Sequence, residues 1–156
     1  MSSKEEVVGV IEKLLGEIEQ AVESMPEERW SKGVNDGGWN ARELLCHIAS
    51  TSGVAGLALA MAQMPSAPGL GAGFDNDAFN AQQLAMRKDK SPAELVGEVR
   101  SRFERDIAAV RKATDDVIRK HYKAPWETEG ELGDVIVESL NGHLGMHLAE
   151  LRAATR

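Results

Sequence analysis

Residues 131–153 read ELGDVIVESLNGHLGMHLAELRA, and the spacing of their apolar side chains decides the fold. Leu132, Ile136, Leu140, His143, His147 and Leu151 recur at three- and four-residue intervals. That period places all six on one face of a helix running from about Glu131 to Ala153. Arg152 and Arg156 at its end suit the negative pole of the helix dipole.

The same period repeats upstream. Val7, Ile11, Leu14, Leu15, Ile18, Val22 and Met25 form the apolar side of a first helix, closed by Pro26. Glu12, Lys13, Glu17, Glu19 and Glu23 take its other side. A second helix starts at Asn40-Ala41-Arg42-Glu43, which has the form of a capping box. Gly37-Gly38 supply a turn before it, and Trp39 staples onto its first turn. Its apolar row runs through Leu44 and Ile48 to Met61, and the small residues from Ala49 to Ala60 permit close helix approach. Pro65 to Gly73 is a loop by composition, and Asp75 or Asp77 caps a short helix through about Met86. A third long helix starts at Ser91-Pro92-Ala93-Glu94 and buries Leu95, Val99, Phe103, Ile107 and Val110. It breaks within Ala113-Thr114-Asp115-Asp116, and a short piece from Val117 to Tyr122 follows. No alternating run of β-branched residues is bounded by turns, so no strand is expected. No internal repeat is visible. The expected fold is an all-α four-helix bundle with one short extra helix in its middle crossover, a single domain over residues 1–156.

Composition narrows the function. The 156 residues carry 25 acids and 18 bases, a net charge of −7. That balance disfavours nucleic acid, whose phosphates are held by Lys and Arg. A single Cys excludes an intramolecular disulfide and Cys-rich zinc modules. No apolar stretch follows Met1 to Glu6, so no signal peptide is expected. The most apolar stretch, Val54 to Met64, is shorter than the roughly 20 residues a bilayer span needs. The expectation is a cytoplasmic protein acting on a small molecule, with no membrane partner.

Histidine is the residue to follow. His143 and His147 stand four apart, so both imidazoles reach one metal ion from one helical face. Leu144 stands where a metalloprotease helix has its glutamate base. No Glu stands three residues before either His, which disfavours a ferritin-like di-iron centre. The competing reading is a pair of core histidines bonded to polar neighbours. His47, at the edge of the second helix's apolar face, completes a set of three. Three histidines with open positions describe a catalytic or substrate-binding metal, and Zn²⁺, Ni²⁺ and Fe²⁺ all suit imidazole. Cys46 points about 100° away from His47 and reads as packing. His121, among Arg119, Lys120 and Lys123, reads as a surface residue. Glu150, three residues after His147, is a candidate base, ligand orienter or fourth ligand, against a plain exposed glutamate. The basic residues from Arg87 to Lys123 read as a solvated face, or as a rim for an anionic substrate. Trp30, Trp39 and Trp126 either seal the bundle ends or wall an apolar pocket above a metal.

Two stretches carry a family likeness. Trp39 to Ala49 and His143 to Glu150 resemble the DinB-like (YfiT-like) metal-binding four-helix bundles. Phe74 to Gln83, followed by Ser91 to Leu95, is most similar to the branch containing the N-terminal domain of mycothiol-dependent maleylpyruvate isomerase. The resemblance implies an up-down-down-up bundle with a long crossover, and a divalent metal held by His47, His143 and His147. It also implies a low-molecular-weight thiol cosubstrate such as mycothiol or bacillithiol, and it suggests Asn80 as a residue that orients the substrate. The leading expectation is a metal-dependent transferase joining such a thiol to a small electrophile. The alternative is a non-catalytic bundle that sequesters a metal or small molecule. A third is a structural or regulatory homodimer paired through the small residues from Ala49 to Ala60.

Overall fold

The computed structural model describes residues 1–34, 38–65 and 73–156. The expected turn at Gly37 and all but the ends of the Pro65–Gly73 loop lie outside the described residues.

Four helical columns form the molecule. The first is α1 (Lys4–Glu23). The second is α2 (Ala41–Thr51) continued by α3 (Val54–Ala62). The third is α5 (Pro92–Lys112). The fourth is α7 (Leu132–Ser139) continued through a π-helical turn (Leu140–Leu144) into α8 (Gly145–Ala154). The short α4 (Asn76–Met86) stands in the crossover, capped by Asp75, whose side chain accepts from the Ala78 N–H. Capping boxes at Asn40 and Ser91 start α2 and α5 as the sequence predicts. α5 ends at Lys112, and Thr114 caps the separate α6 (Asp115–Arg119).

Contacts between columns fix their directions. Lys4 at the start of α1 donates from Nζ to the carbonyls of Arg111 and Ala113 at the end of α5, so the two run antiparallel. The Ser2 N–H donates to Asp134 in α7, and Arg152 in α8 pairs with Glu17, so the fourth column runs with α1. Arg42 in the first turn of α2 donates to the carbonyl of Lys90 just before α5, so those two are parallel. The order is up-down-down-up. α1 and α2–α3 each pack on both α5 and the fourth column.

Two expectations need correction. A two-stranded antiparallel hairpin, β1 (His121–Lys123) against β2 (Glu129–Glu131), stands where a short helical piece was predicted to end. Each strand is three residues long, too short for alternation to register; only Tyr122 points into the core. The second column is also not one helix, because it breaks at Ser52-Gly53. Within Ala41–Ala62 an 18-residue window is long and apolar enough to cross a bilayer, with a mean hydropathy of 1.6, yet 56% of that window is buried inside the bundle.

Charged side chains from other elements hold both ends of the nine-residue α3. Gly53 offers it no side-chain cap. Instead the backbone N–H groups of Gly56 and Ala55 stabilise the carboxylate of Asp106 on α5. A β-carbon on Gly56 would stand only 2.4 Å from Asp106 Oδ1, so that close approach requires glycine. At the other end Lys120 Nζ donates to the Ala62 carbonyl at 2.6 Å. A helix this short is marginal alone, and both charges have the sign its dipole favours.

The fourth column explains its own π turn. Leu132, Ile136, Leu140, Leu144 and Leu148 are all buried. At about 100° per residue, a strict four-residue spacing drifts about 40° per step, so an uninterrupted α-helix would wind the last of them off the core. The turn at Leu140–Leu144, where the Gly145 N–H reaches back to the Leu140 carbonyl, takes up one extra residue. Leu144 and Leu148 thereby return to the core.

Candidate metal centre

His47 lies in the second turn of α2, behind the Asn40–Glu43 capping box. Arg42 fixes the start of that helix against α4 by donating to the carbonyls of Arg87, Lys88 and Lys90. The Ser50 and Thr51 hydroxyls both donate to the His47 carbonyl, each at 2.9 Å. His143 stands inside the π turn and His147 one turn later on α8.

These elements bring the three histidines together. His47 Nε2 and His143 Nε2 are 3.2 Å apart. Ring centroids are 4.7 Å apart for His47–His147, 4.7 Å for His143–His147 and 5.1 Å for His47–His143. One ring nitrogen from each lies within 4.8 Å of the others. His47 and His147 are buried, but His143 is exposed. The sequence puts His143 on the apolar face with Leu140 and His147, and its exposure corrects that placement. The extra residue of the π turn rotates the pair from the centre of the apolar stripe to its edge, while Leu144 and Leu148 take the centre.

Burial, with His147 and His143 as neighbours, pushes His47 down to about 3. Burial and His147 also lower His143, partly offset by Glu150. Both rings are therefore neutral at pH 7, with lone pairs available. Glu150 Oε2 is 3.2 Å from His147 Nδ1, so it orients that ring and leaves Nε2 facing the cluster. Trp39 lies over the site, its ring centroid 4.7 Å from that of His47 and 6.3 Å from that of His147.

The donor set fits a divalent ion. A tetrahedral ion with metal–nitrogen bonds of about 2.0–2.1 Å sets neighbouring donors roughly 3.3 Å apart, close to the 3.2 Å between His47 and His143. Imidazole nitrogens are ligands such ions accept.

Other candidates separate from this cluster. Asn80 is half-buried on α4 and makes no hydrogen bond to the histidines among the described residues. Cys46 is buried, and burial raises its thiol despite Arg42 and Arg87 nearby, which fits packing. His121 is exposed and sits 2.9 Å from Glu129 across the hairpin. Arg87, expected on a solvated face, is buried and grips Glu98 through Nε and Nη2. Burial alone would raise the Glu98 carboxyl, but hydrogen bonds from Arg87 and Lys90 bring it down to about 2. The sequence reading missed the π turn, whose signal was the unbroken four-residue spacing from Leu132 to Leu148.

The model of the DinB superfamily matches residues 11–151. No curated protein matches. Among solved structures, the chain is similar to YfiT from Bacillus subtilis, described as a probable metal-dependent hydrolase with an unusual four-helix bundle topology. The TM-score is 0.76 at 21% identity, over 98% of this chain and 86% of that one, which establishes the shared fold.

Proposed function

The chain belongs to the DinB superfamily, and on that footing we propose that it is a divalent-metal-dependent transferase joining a low-molecular-weight thiol to a small electrophile. The convergence of His47, His143 and His147 carries this reading. An ion held there supplies a positive charge that favours ionisation of a thiol or water in its open positions. Zn²⁺, Ni²⁺ and Fe²⁺ all suit the donor set, and mycothiol or bacillithiol suits the thiol role.

The chain's own residues do the rest. His47 and His143 offer neutral nitrogens, and Glu150 holds the His147 ring in place. Trp39 packs its ring against that of His47. The exposed His143 marks the side from which substrate enters. In the transfer, the thiol gives its proton to solvent and its sulfur forms the bond to carbon. The leaving group departs with the electron pair of the broken bond. A thiol is the better nucleophile for such a site, because its pKa of about 8.5 needs a smaller shift than that of water at about 15.7.

The likeness to YfiT favours one second reading, hydrolysis, in which water replaces the thiol at the same cluster. Elemental analysis of the purified protein, followed by turnover of a model electrophile with and without thiol, tests both. Product containing the thiol supports transfer, and thiol-independent turnover that takes its oxygen from solvent supports hydrolysis. Stoichiometric protection without turnover supports sequestration instead. We expect His47→Ala to lose both metal and turnover. Full activity in that variant would sink the metal-dependent reading.

A further inference from the structure

The helix surface that carries the exposed His143 has its own apolar neighbours. The loop joining β1 to β2 is tied by the Ala124 N–H donating to the Thr128 carbonyl and the Glu127 N–H donating to the Ala124 carbonyl. Glu127 holds a φ of 73°, a conformation a non-glycine residue adopts only under constraint. That turn presents the half-buried Trp126, whose Nε1–H donates to Ser139 Oγ at 2.9 Å. Ser139 is itself fixed by donating to the Val135 carbonyl at 2.7 Å. Ser139 stands four residues before His143, so the two are neighbours on one helix surface. Met146, three residues after His143, is 51% exposed. Along the fourth column His143 thus stands between Ser139, which anchors Trp126, and the exposed Met146.

We infer that Trp126 and Met146 form an apolar rim on the open side of the histidine cluster and that Trp126 selects ligands with a flat apolar body. This rests on the metal-centre reading above. An indole placed by a strained turn and a serine anchor is pre-organised to stack, and it loses little entropy when it does.

The test uses the full chain loaded with Co²⁺, whose visible spectrum reports ligand entry. Imidazole and 4-phenylimidazole are titrated separately, and their affinity ratio is the readout. Wild type is expected to prefer the phenyl compound, and Trp126→Ala to reduce that preference about three- to tenfold. Its Co²⁺ stoichiometry and unliganded spectrum should not change. Trp126→Phe keeps most of the preference, because the flat ring remains. Ser139→Ala frees the anchor without removing the ring and gives an intermediate loss. Full Co²⁺ loading with an unchanged ratio in Trp126→Ala overturns the Trp126 assignment alone. If that variant does not fold, an unchanged ratio in Ser139→Ala overturns it. Wild-type protein that takes up no Co²⁺ overturns the metal reading and this inference together.

Discussion

Two carboxylates show how placement gives one functional group different work. Glu150 touches His147 Nδ1 and acts through that ring. Partners in this position typically govern metal affinity, so Glu150→Gln should weaken metal binding about 10- to 100-fold, read by chelator competition. Asp106 is buried, and its Oδ2 has no hydrogen-bond partner. Burial raises its carboxyl from 3.8 to about 6, although the Gly56 and Ala55 N–H groups, Arg102 and Arg105 pull the other way. The folded chain therefore keeps a proton that the unfolded chain has released between those values. Asp106 contributes stability that is fully present below pH 3.8 and is lost as pH rises through about 6. His47 acts in the opposite sense, because the folded chain refuses a proton that the unfolded chain takes up below 6.5. Comparing wild type with Asp106→Asn separates the two. The stability difference between them in urea unfolding should change by up to roughly 3 kcal/mol from pH 4 to pH 7. A difference that stays constant across that range would show that Asp106 is not protonated in the fold.

Among the elements, the fourth column shows most directly how sequence becomes site. Its π turn settles a conflict between the four-residue spacing of its leucines and the helix period. Exposed Asn141 lies in that turn. Deleting it should convert the turn to plain α-helix and keep Leu144 and Leu148 in the core, with cooperative unfolding retained. Inserting one alanine after Asn141 should instead rotate α8 by about 100° and draw those leucines out. That insertion should cost at least about 3 kcal/mol and scatter the histidines. Thermal melts followed by circular dichroism, with metal content, distinguish the two. Helix starts were legible in the sequence because capping is local: Asn40–Glu43 and Ser91–Glu94 each satisfy their own first turn. Remote caps such as Asp106 and Lys120 on α3 were not legible, because the partners lie far apart in the chain.

Across the whole molecule, the site joins two columns whose histidines lie 96 residues apart at the His47–His143 contact. An ion held by both columns stabilises only the folded chain. At a free concentration of about 100 times Kd it should add roughly 2.7 kcal/mol, seen as a higher melting temperature that chelation reverses. His47→Ala should show no such increase. The buried Arg87–Glu98 pair and the Arg42 contacts hold the end of α4 against the second and third columns, so the basic segment serves structure as well as surface charge.

The sequence by itself determined the helical period, the helix starts, the break after α5 and the identity of the three histidines, since each depends on neighbours within a turn or two. It also carried the family likeness in the segments around His47 and His147. Tertiary structure alone decided that His143 faces solvent, that Trp39 lies over His47, and that Arg87 is buried on Glu98. It also decided that a hairpin presents Trp126 beside the fourth column. The physical reason is common to all four. Periodicity specifies a face only while the helix is regular, and long-range partners are chosen by packing between columns, which no local spacing encodes.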